Sequence, residues 1–572
     1  MLRPLIQEIV TTHTPESLVE ALLSLESVVL LRTSVFDSPS ARYSLLAAHP
    51  FLTFRSEGSG CEIVVNRVPD TAAAMPRHQR QFGNPWHVLE SLMSRFELLD
   101  EIDRPFPLGG AFGFWGYDLK NFTEPKLARR AINVLELPDC QVGFYDSLVV
   151  FDHRLNTAFI VSTGLNADGS RTEKTAIEKV EYWRSLLATC PPESRSEVPR
   201  PQFDRTDVAS NVSPEAFVSA VARAQEYIRA GDIYQVNLSH RLTAKLPVRG
   251  ICSEESPRLD SINLSRLSSV AEGRGRVTPV RAVAASAGAI DLNKPSSITG
   301  HRIPSPLRGE RVRMRGEITG QPQTFSEVPG QGNPSAAAWD LFLRLTAISP
   351  APFSAYLDFA DFQLVSSSPE QFLRMSGSQI VTRPIKGTRP RDAEPTRDAV
   401  LAYELQTSAK ENAELVMITD LLRNDLGKIC EYGTVQTPEL ARLERFAQVQ
   451  HLISTVEGRL RRDVTHFAAF ASCFPGGSIT GAPKFRAMEI IDELEPVSRG
   501  PYTGAIGYLG FNRESQLSIA IRTALCHEGL AHFNVGAGIV ADSNPQSEFE
   551  ETLAKARGFM AAMDLGPGKQ LD

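Results

Sequence analysis

Over the first 190 or so residues, short apolar runs alternate with polar turns, the pattern of strands interspersed with helices. Ser27–Leu31, Cys61–Val65 and Ser147–Asp152 read as strands. Leu108–Tyr117 interleaves aromatics with glycines, which suits a strand that another backbone approaches closely. The opening stretch, 1–23, reads as one amphipathic segment interrupted by Gln7, Glu8 and Glu16. A polar, proline-bearing stretch from Pro191 to Glu197 reads as a linker. Ser213, followed by Glu215, Ala216 and Phe217, predicts a helix start, with the helix running to about Arg229 and stopping at Gly231.

The texture then changes. From about Arg249 to Pro334 the chain is rich in Ser, Arg, Gly and Pro, has one aromatic (Phe325) and keeps neither a helical nor a strand period. So few large apolar side chains cannot offset the entropy of ordering the stretch, so a disordered surface insertion is expected, with a basic interaction arm as the alternative. Helical signal resumes at Ala336–Phe342, and dense helix and strand patterning continues to about Asp564. The expected organisation is an N-terminal part (1–190), a linker (191–212), the start of a catalytic region (213–248), the insertion (249–334) and the rest of the catalytic region (335–565).

Composition narrows the classes. The 572 residues carry 60 Lys and Arg against 67 Asp and Glu, a net charge of −7, so the basic surplus of a nucleic-acid binder is missing. Hydrophobic residues make up 42% and charged residues 22%, an ordinary globular balance. No apolar run approaches the roughly 20 residues that span a bilayer, and no signal core is visible, so neither a membrane nor nucleic acid is expected as a partner. The seven scattered cysteines contain no CxxC, which disfavours disulfide frameworks and zinc ribbons, and a cytoplasmic protein is expected.

Candidate chemistry concentrates in the second half. On the helix predicted over Ala409–Asp425, Glu411 and Glu414 share a stripe with Ile418 and Leu421, so their carboxylates lie on an apolar face and need a counter-charge or a metal. Glu548 and Glu551, with Lys555 a turn later, form a second pair. Four carboxylates brought together repel one another, and a hard cation such as Mg²⁺ relieves that repulsion. Lys386 lies in Pro384–Arg391 behind a strand-like Gln379–Arg383. It reads either as part of an anion-binding patch or as a nucleophilic amine. An exposed lysine is neutral in only about one molecule in 10³ at pH 7, and cationic neighbours or desolvation favour the neutral form. Arg383, Arg389 and Arg391 are the candidate neighbours. Glu370, at a turn between two strands, is an exposed loop carboxylate or a general acid–base. His451 sits between apolar residues, as a core histidine does. Arg522, in an apolar strand-like run, needs an anion from the protein or from a ligand. Neither Gly476–Lys484, a glycine-rich turn leading into a helix, nor Gly536–Asp542, a glycine cluster expected to follow a strand, has the spacing of a nucleotide-phosphate loop.

Taken together, Glu411–Asp425, Gln450–Ser454, Pro475–Lys484, Gly500–Gly507 and Gly536–Lys555 resemble the chorismate-utilising enzymes, which include anthranilate, aminodeoxychorismate, isochorismate and salicylate synthases. Leu108–Tyr117, Gly231–Leu238 and Ser349–Leu357 resemble its amino-donating branch. That branch differs from the water-activating one in having Gln235 rather than a lysine. Lys386, where anthranilate synthases typically have alanine, resembles the lysine of aminodeoxychorismate synthase component I. The resemblance implies an α+β fold of two large antiparallel sheets packed face to face with flanking helices. It implies chorismate and ammonia as substrates, Lys386 as covalent nucleophile and Glu370 as acid–base. Mg²⁺ would be held by Glu411, Glu414, Glu548 and Glu551, and Thr388, His451, Tyr502, Arg522, Gly538 and Lys555 would contact the substrate. It further implies a separate glutamine amidotransferase subunit, since no nucleophile elbow surrounds any cysteine. The alternatives are anthranilate synthase component I and a silent paralogue acting as a binding subunit. Some relatives bind tryptophan near strings resembling Ser34, Ser40, Ala41, Arg42, Tyr43, Pro352, Phe353 and Ser354, and the first strings depart from the family pattern.

Overall fold

Local signals decide where the elements begin. Ser213 accepts a hydrogen bond from the Ala216 amide (3.2 Å) and caps the Pro214–Arg229 helix, and Gly231 turns the chain away with φ +83°. Ser408 caps Ala409–Gly427 in the same way, and Asn544 caps Pro545–Ala562. The computed structural model describes residues 3–25, 27–33, 41–67, 77–98, 104–191, 208–246, 334–446 and 449–563. The expected insertion falls outside these residues as far as 333, and a helix begins at Pro334.

The described strands form two antiparallel sheets. The first runs, in spatial order, Leu5–Ile9, Thr157–Ser162, Ser147–Asp152, Tyr43–Ala47, Val29–Arg32, Phe353–Asp358, Phe362–Ser368, Thr523–His527, Leu530–Ile539, Gln235–Lys245 and Ala209–Ser210. The second runs Ile385–Pro390, Val449–Arg459, Gln379–Arg383, Gln371–Ser376, Glu514–Ile519, Ala505–Gly510, Gly110–Trp115, Cys140–Tyr145, Leu52–Glu57, Gly60–Val65 and His78–Phe82. Both draw on the N-terminal 190 residues and on the region after 334, so the two halves of the chain share one core.

The two-residue period of a strand sorts side chains between layers. Val29 and Leu45 join the core between the sheets, whereas Leu30 and Leu46 face the other way, into a cluster with Trp183, Trp339 and Phe559 on covering helices. Phe114 of the second sheet meets Phe359 and Phe362 of the first, ring centroids 5.6 and 5.9 Å apart. Phe470, on one helix, packs against both Trp86 of another helix and Trp115 of the second sheet. The glycines of Gly110–Trp115 act as the sequence suggests: a Cβ at Gly113 would lie 2.2 Å from the Gln141 carbonyl oxygen.

Three sequence expectations change. The opening segment is not one amphipathic element but a strand, Leu5–Ile9, and a helix, Pro15–Leu22, because Thr14 caps the helix and Pro15 fits its first turn. The expected linker ends in a two-residue strand, Ala209–Ser210, paired with Leu242 and Thr243. The glycines 536 and 538 lie within the Leu530–Ile539 strand rather than after it. The six cysteines among the described residues are free, and no helix among those residues is long and apolar enough to cross a membrane.

Candidate active site

Two crossovers between the sheets lie side by side and bring Glu370 and Arg522 together. Pro369–Glu370 carries the chain from Phe362–Ser368 in the first sheet to Gln371–Ser376 in the second. Ala520–Arg522 carries it back, from Glu514–Ile519 to Thr523–His527. Hydrogen bonds tie the two: the Ile519 amide donates to the Glu370 carbonyl (3.1 Å), the Ser367 amide to the Arg522 carbonyl (3.0 Å), and the Ser368 hydroxyl to the Ile519 carbonyl (2.6 Å). The apolar run around Arg522 is thus not one strand. It breaks at Arg522, whose φ of +49° makes the turn from one sheet to the other.

These crossovers form part of the wall of a cavity of about 1640 Å³. All twelve residues singled out as catalytic, substrate-contacting or metal-holding line it: Glu370, Lys386, Thr388, Glu411, Glu414, His451, Tyr502, Arg522, Gly538, Glu548, Glu551 and Lys555. The helices Ala409–Gly427 and Pro545–Ala562, distant in sequence, therefore bring their glutamate pairs to one space.

Lys386 stands on a β-bulge. Lys386 pairs with Leu452 and Thr388 with His451, leaving Gly387 unpaired with φ +69°. The positive φ favours glycine there, and a Cβ at Gly387 would press on Leu405 Cδ1 at 2.6 Å and Glu411 Oε2 at 3.0 Å. Lys386 makes no hydrogen bond or ion pair with any described residue, and its charge acts on the carboxyls of Glu370, Glu414 and Glu551. The arginine neighbours expected to press on it are engaged elsewhere. Arg383 pairs with Glu444, Arg389 with Glu411 (3.6 Å) and Arg391 with Asp398 (2.8 Å).

Glu370 is buried, and desolvation raises its carboxyl pKa against the opposing pull of the Ser478 hydroxyl, Lys386 and Lys555. Burial pushes His451 down to about 4, so its ring is neutral at physiological pH. Its Nδ1 lies 2.9 Å from Thr388 Oγ1 and 3.3 Å from the Gly387 carbonyl. Burial also lowers the pKa of Arg522, which has no carboxylate partner among the described residues and so leaves its charge for a ligand. Burial pushes Tyr502 up to about 12. Its hydroxyl sits 3.1 Å from where a Cβ at Gly536 would be, and a Cβ at Gly538 would strike the Gln235 amide at 2.7 Å. Lys555 donates to the Gly536 carbonyl (2.8 Å) and pairs with Glu551 (2.8 Å).

The glutamates differ in environment. Burial raises the pKa of Glu414 and of Glu548, the latter despite a 2.6 Å hydrogen bond from Ser543. For Glu551, burial pushes upward but Lys555, Lys410 and Lys386 outweigh it, so its pKa ends below the usual value. Among the described residues no three His, Cys, Asp or Glu converge into a ready-made metal cage. The donor set still fits Mg²⁺ by chemistry: hard carboxylate oxygens in two pairs, for an ion that takes one or two directly and reaches others through water.

Several lining residues escaped the sequence reading: Lys410, Arg499 and Asn534 among them. Only Arg499 left a signal, its i,i+4 spacing from Glu495. Of the possible tryptophan-site residues, Ser34 and Ser40 lie outside the described residues. Ala41 is buried, Arg42 pairs with Asp152 (2.5 Å), Tyr43 begins a strand, and Ser354 pairs with Arg32 in the neighbouring strand pair. Pro352 and Phe353 precede Ser354, and none of the described members lines the large cavity.

A double-sheet α+β scaffold with a large cavity lined by glutamates, lysines and arginines, among them Arg522 without a carboxylate partner among the described residues, defines an enzyme-like site for a small anionic ligand. The chain belongs to the chorismate binding enzyme family, which matches residues 36–252 and 328–561 and skips most of the expected insertion. It is 31% identical to anthranilate synthase component 1 of Acetivibrio thermocellus over 559 residues, covering 96% of this chain and 93% of that protein. It is also 31% identical to aminodeoxychorismate synthase component 1 of Escherichia coli (strain K12) over 540 residues, covering 94% and 93%. Anthranilate synthase component I from Streptococcus pneumoniae TIGR4 superposes with a TM-score of 0.64 at 25% identity, covering 97% of this chain and 99% of that one.

Proposed function

We propose that this chorismate-utilising enzyme is an aminodeoxychorismate synthase component I, which converts chorismate and ammonia to 4-amino-4-deoxychorismate for para-aminobenzoate and folate synthesis. The observation that carries the reading is Lys386, placed on the Gly387 bulge in the cavity wall without a hydrogen-bonding or ion-pairing partner, near the buried acid Glu370. A lysine serving only to bind an anion would not need an acid raised by burial close to it.

In this reading Arg522, Tyr502 and Lys555 hold the carboxylate-bearing pyruvyl ether, and Thr388 and His451 flank the ring. The Lys386 amine forms a bond to ring C2 as the C4–oxygen bond breaks, and protonated Glu370 gives its proton to the departing hydroxyl, which leaves as water. The proton shed by the new C2–N bond returns to Glu370. Ammonia then bonds to C4, the C2–N bond breaks, and Glu370 reprotonates the departing lysine. The pyruvyl ether stays on the ring. The carboxylates of Glu370, Glu414 and Glu551, on which the Lys386 charge acts, give the ammonium form a place to lose its proton before attack. Mg²⁺ bound by Glu411, Glu414, Glu548 and Glu551, some through water, would supply charge neutralisation at the ring carboxylate and the leaving oxygen. A glutamine amidotransferase subunit would supply the ammonia.

The test is intact mass spectrometry of protein treated with chorismate and Mg²⁺ without ammonium. The expected result is an adduct of chorismate less one water on Lys386, absent in Lys386→Ala, followed on ammonium addition by a non-fluorescent product. Fluorescent anthranilate and no adduct would instead make this the pyruvate-releasing enzyme.

A further inference from the structure

A second concavity, of about 420 Å³, lies between the helix Pro85–Met93 and the end of the second sheet, and it shares no lining residue with the large cavity. Small-molecule sites run from about 300 to about 1,000 Å³, so a compact organic molecule fits. His87 and Ser91 face it from successive turns of the helix, and Arg95 extends the stripe just past the helix end. Gln79 and Gln81 face it from the other side, since the two-residue period of the His78–Phe82 strand puts them on one face. Leu52, Ile63 and Val65, all buried, close the bottom.

Its polar groups are one-sided. Although the chain carries 67 Asp and Glu residues, none of the described ones lines this concavity. The Arg95 guanidinium and the His87 ring make no hydrogen bond or ion pair with any described residue. A cation without a counter-charge beside an apolar floor is complementary to an anion that carries an apolar body. The guanidinium fork matches a carboxylate, and a flat ring fits between sheet and helix with Leu52, Ile63 and Val65 beneath it. The Gln79 and Gln81 amides remain for a polar substituent on the ring. Inorganic phosphate would use Arg95 and leave the apolar floor uncovered.

The inner face of the same helix leads to the active site. The Trp86 ring packs against Phe467, Phe470 and Phe474, centroids 5.7, 5.2 and 5.1 Å away, and the Thr465 hydroxyl donates to Glu90 (3.1 Å). Phe474 leads directly into the turn whose Ser478 and Ile479 line the large cavity. We propose that the concavity is a second ligand site, which takes a small aromatic carboxylate and, through the Pro85–Met93 helix, changes the affinity of the active site for chorismate. A ligand that wedges the helix from outside shifts Trp86 against its three ring partners, and with them the Ser478 turn. Linkage makes the effect reciprocal, so chorismate changes the affinity for the effector by the same factor. The inference does not depend on which nitrogen transfer the enzyme performs.

The probe is 4-aminobenzoate, titrated into the full chain by calorimetry, with benzoate, acetate and inorganic phosphate for comparison. Both aromatic acids should bind, at least about tenfold more weakly in Arg95→Leu and in Ser91→Trp, whose indole fills the space, while both variants melt near wild type. Acetate and phosphate should bind wild type at least about tenfold more weakly than 4-aminobenzoate. In steady-state chorismate consumption the probe should change KM for chorismate at least about threefold in wild type and not in Arg95→Leu, whose rate without probe should match wild type. No binding to wild type, equal affinity in all three proteins, or phosphate bound as tightly as the probe overturns the site. A KM unmoved by the probe overturns the coupling, as does a shift that persists in Arg95→Leu, which would place the probe in the chorismate site. A protein that consumes no chorismate would sink the functional reading, while the calorimetry still decides the second site.

Discussion

Arg499 and Glu495 lie against each other as a bidentate pair under the active-site cavity, Nε on Oε2 at 2.8 Å and Nη2 on Oε1 at 2.7 Å, both side chains almost fully buried. The guanidinium also donates to the carbonyls of Ile479 (3.1 Å) and Asn237 (2.9 Å) and to the Thr503 hydroxyl (3.2 Å), while Glu495 accepts from the Ser239 amide (2.8 Å). One ion pair thereby ties together three separate segments that line the site.

Removing one partner strands the other charge in the interior, which costs about 3–5 kcal/mol, whereas removing both leaves no orphaned charge. Arg499→Met should therefore melt well below wild type and lose activity, and Arg499→Met/Glu495→Met should be more stable than the single variant while still poorly active. Denaturant unfolding of the three proteins checks this. A double variant no more stable than Arg499→Met would show that the hydrogen bonds to Asn237, Ile479 and Ser239, rather than the charge balance, carry the stability.

Glu370 separates stability from activity. Its carboxyl pKa is raised in the fold, so its stabilising contribution is complete below the unfolded-state value near 4.3 and is lost as pH rises through the folded-state value. Glu370→Gln removes that loss and also the proton donor. The variant should be at least as stable as wild type above pH 7 and at least about 10²-fold slower, measured by thermal melts and product formation at the same pH.

How far the site could be read from the sequence follows from how local each signal is. The stripe of Glu411, Glu414 and Ile418 is written in consecutive turns of one helix, and Lys386 and Gly387 sit in one short string, so both were legible. In the sequence Glu370 reads as a loop carboxylate or an acid–base and Arg522 as a cation in need of an anion, but their placement depends on two chain crossings between sheets, and the run around Arg522 reads as a single strand. The arginines near Lys386 in sequence went to Glu444, Glu411 and Asp398, partners that no local pattern could assign. Pairing of Leu530–Ile539 with Gln235–Lys245, far away in sequence, explains the glycines at 536 and 538, whose missing Cβ atoms leave room for Tyr502 and Gln235.

Chelation tests the two glutamate pairs. Protein dialysed against a chelator should lose product formation and regain it with Mg²⁺. Glu414→Gln and Glu548→Gln should each raise the Mg²⁺ needed for half-maximal rate by about 10-fold or more, while Glu404→Gln, on the preceding helix and not lining the cavity, should not. Equal Mg²⁺ requirements in all four proteins would remove the glutamates from the metal site.

His466 makes acid sensitivity measurable away from the chemistry. Its Nε2 donates to the Gly377 carbonyl (2.8 Å) and its Nδ1 accepts from the Ser515 hydroxyl (2.9 Å), and burial pushes it down to about 4. Between that value and about 6.5 the unfolded chain binds a proton that the folded chain does not, so stability falls as pH drops through this window. The slope owed to one such histidine is about 1.4 kcal/mol per pH unit. His466→Gln keeps a donor and an acceptor but does not titrate, so unfolding free energies from pH 6.5 to 4 should show a shallower slope by about that amount. An unchanged slope would mean that His466 is already protonated in the fold, and with it the neutral ring that the Gly377 and Ser515 bonds define would be lost.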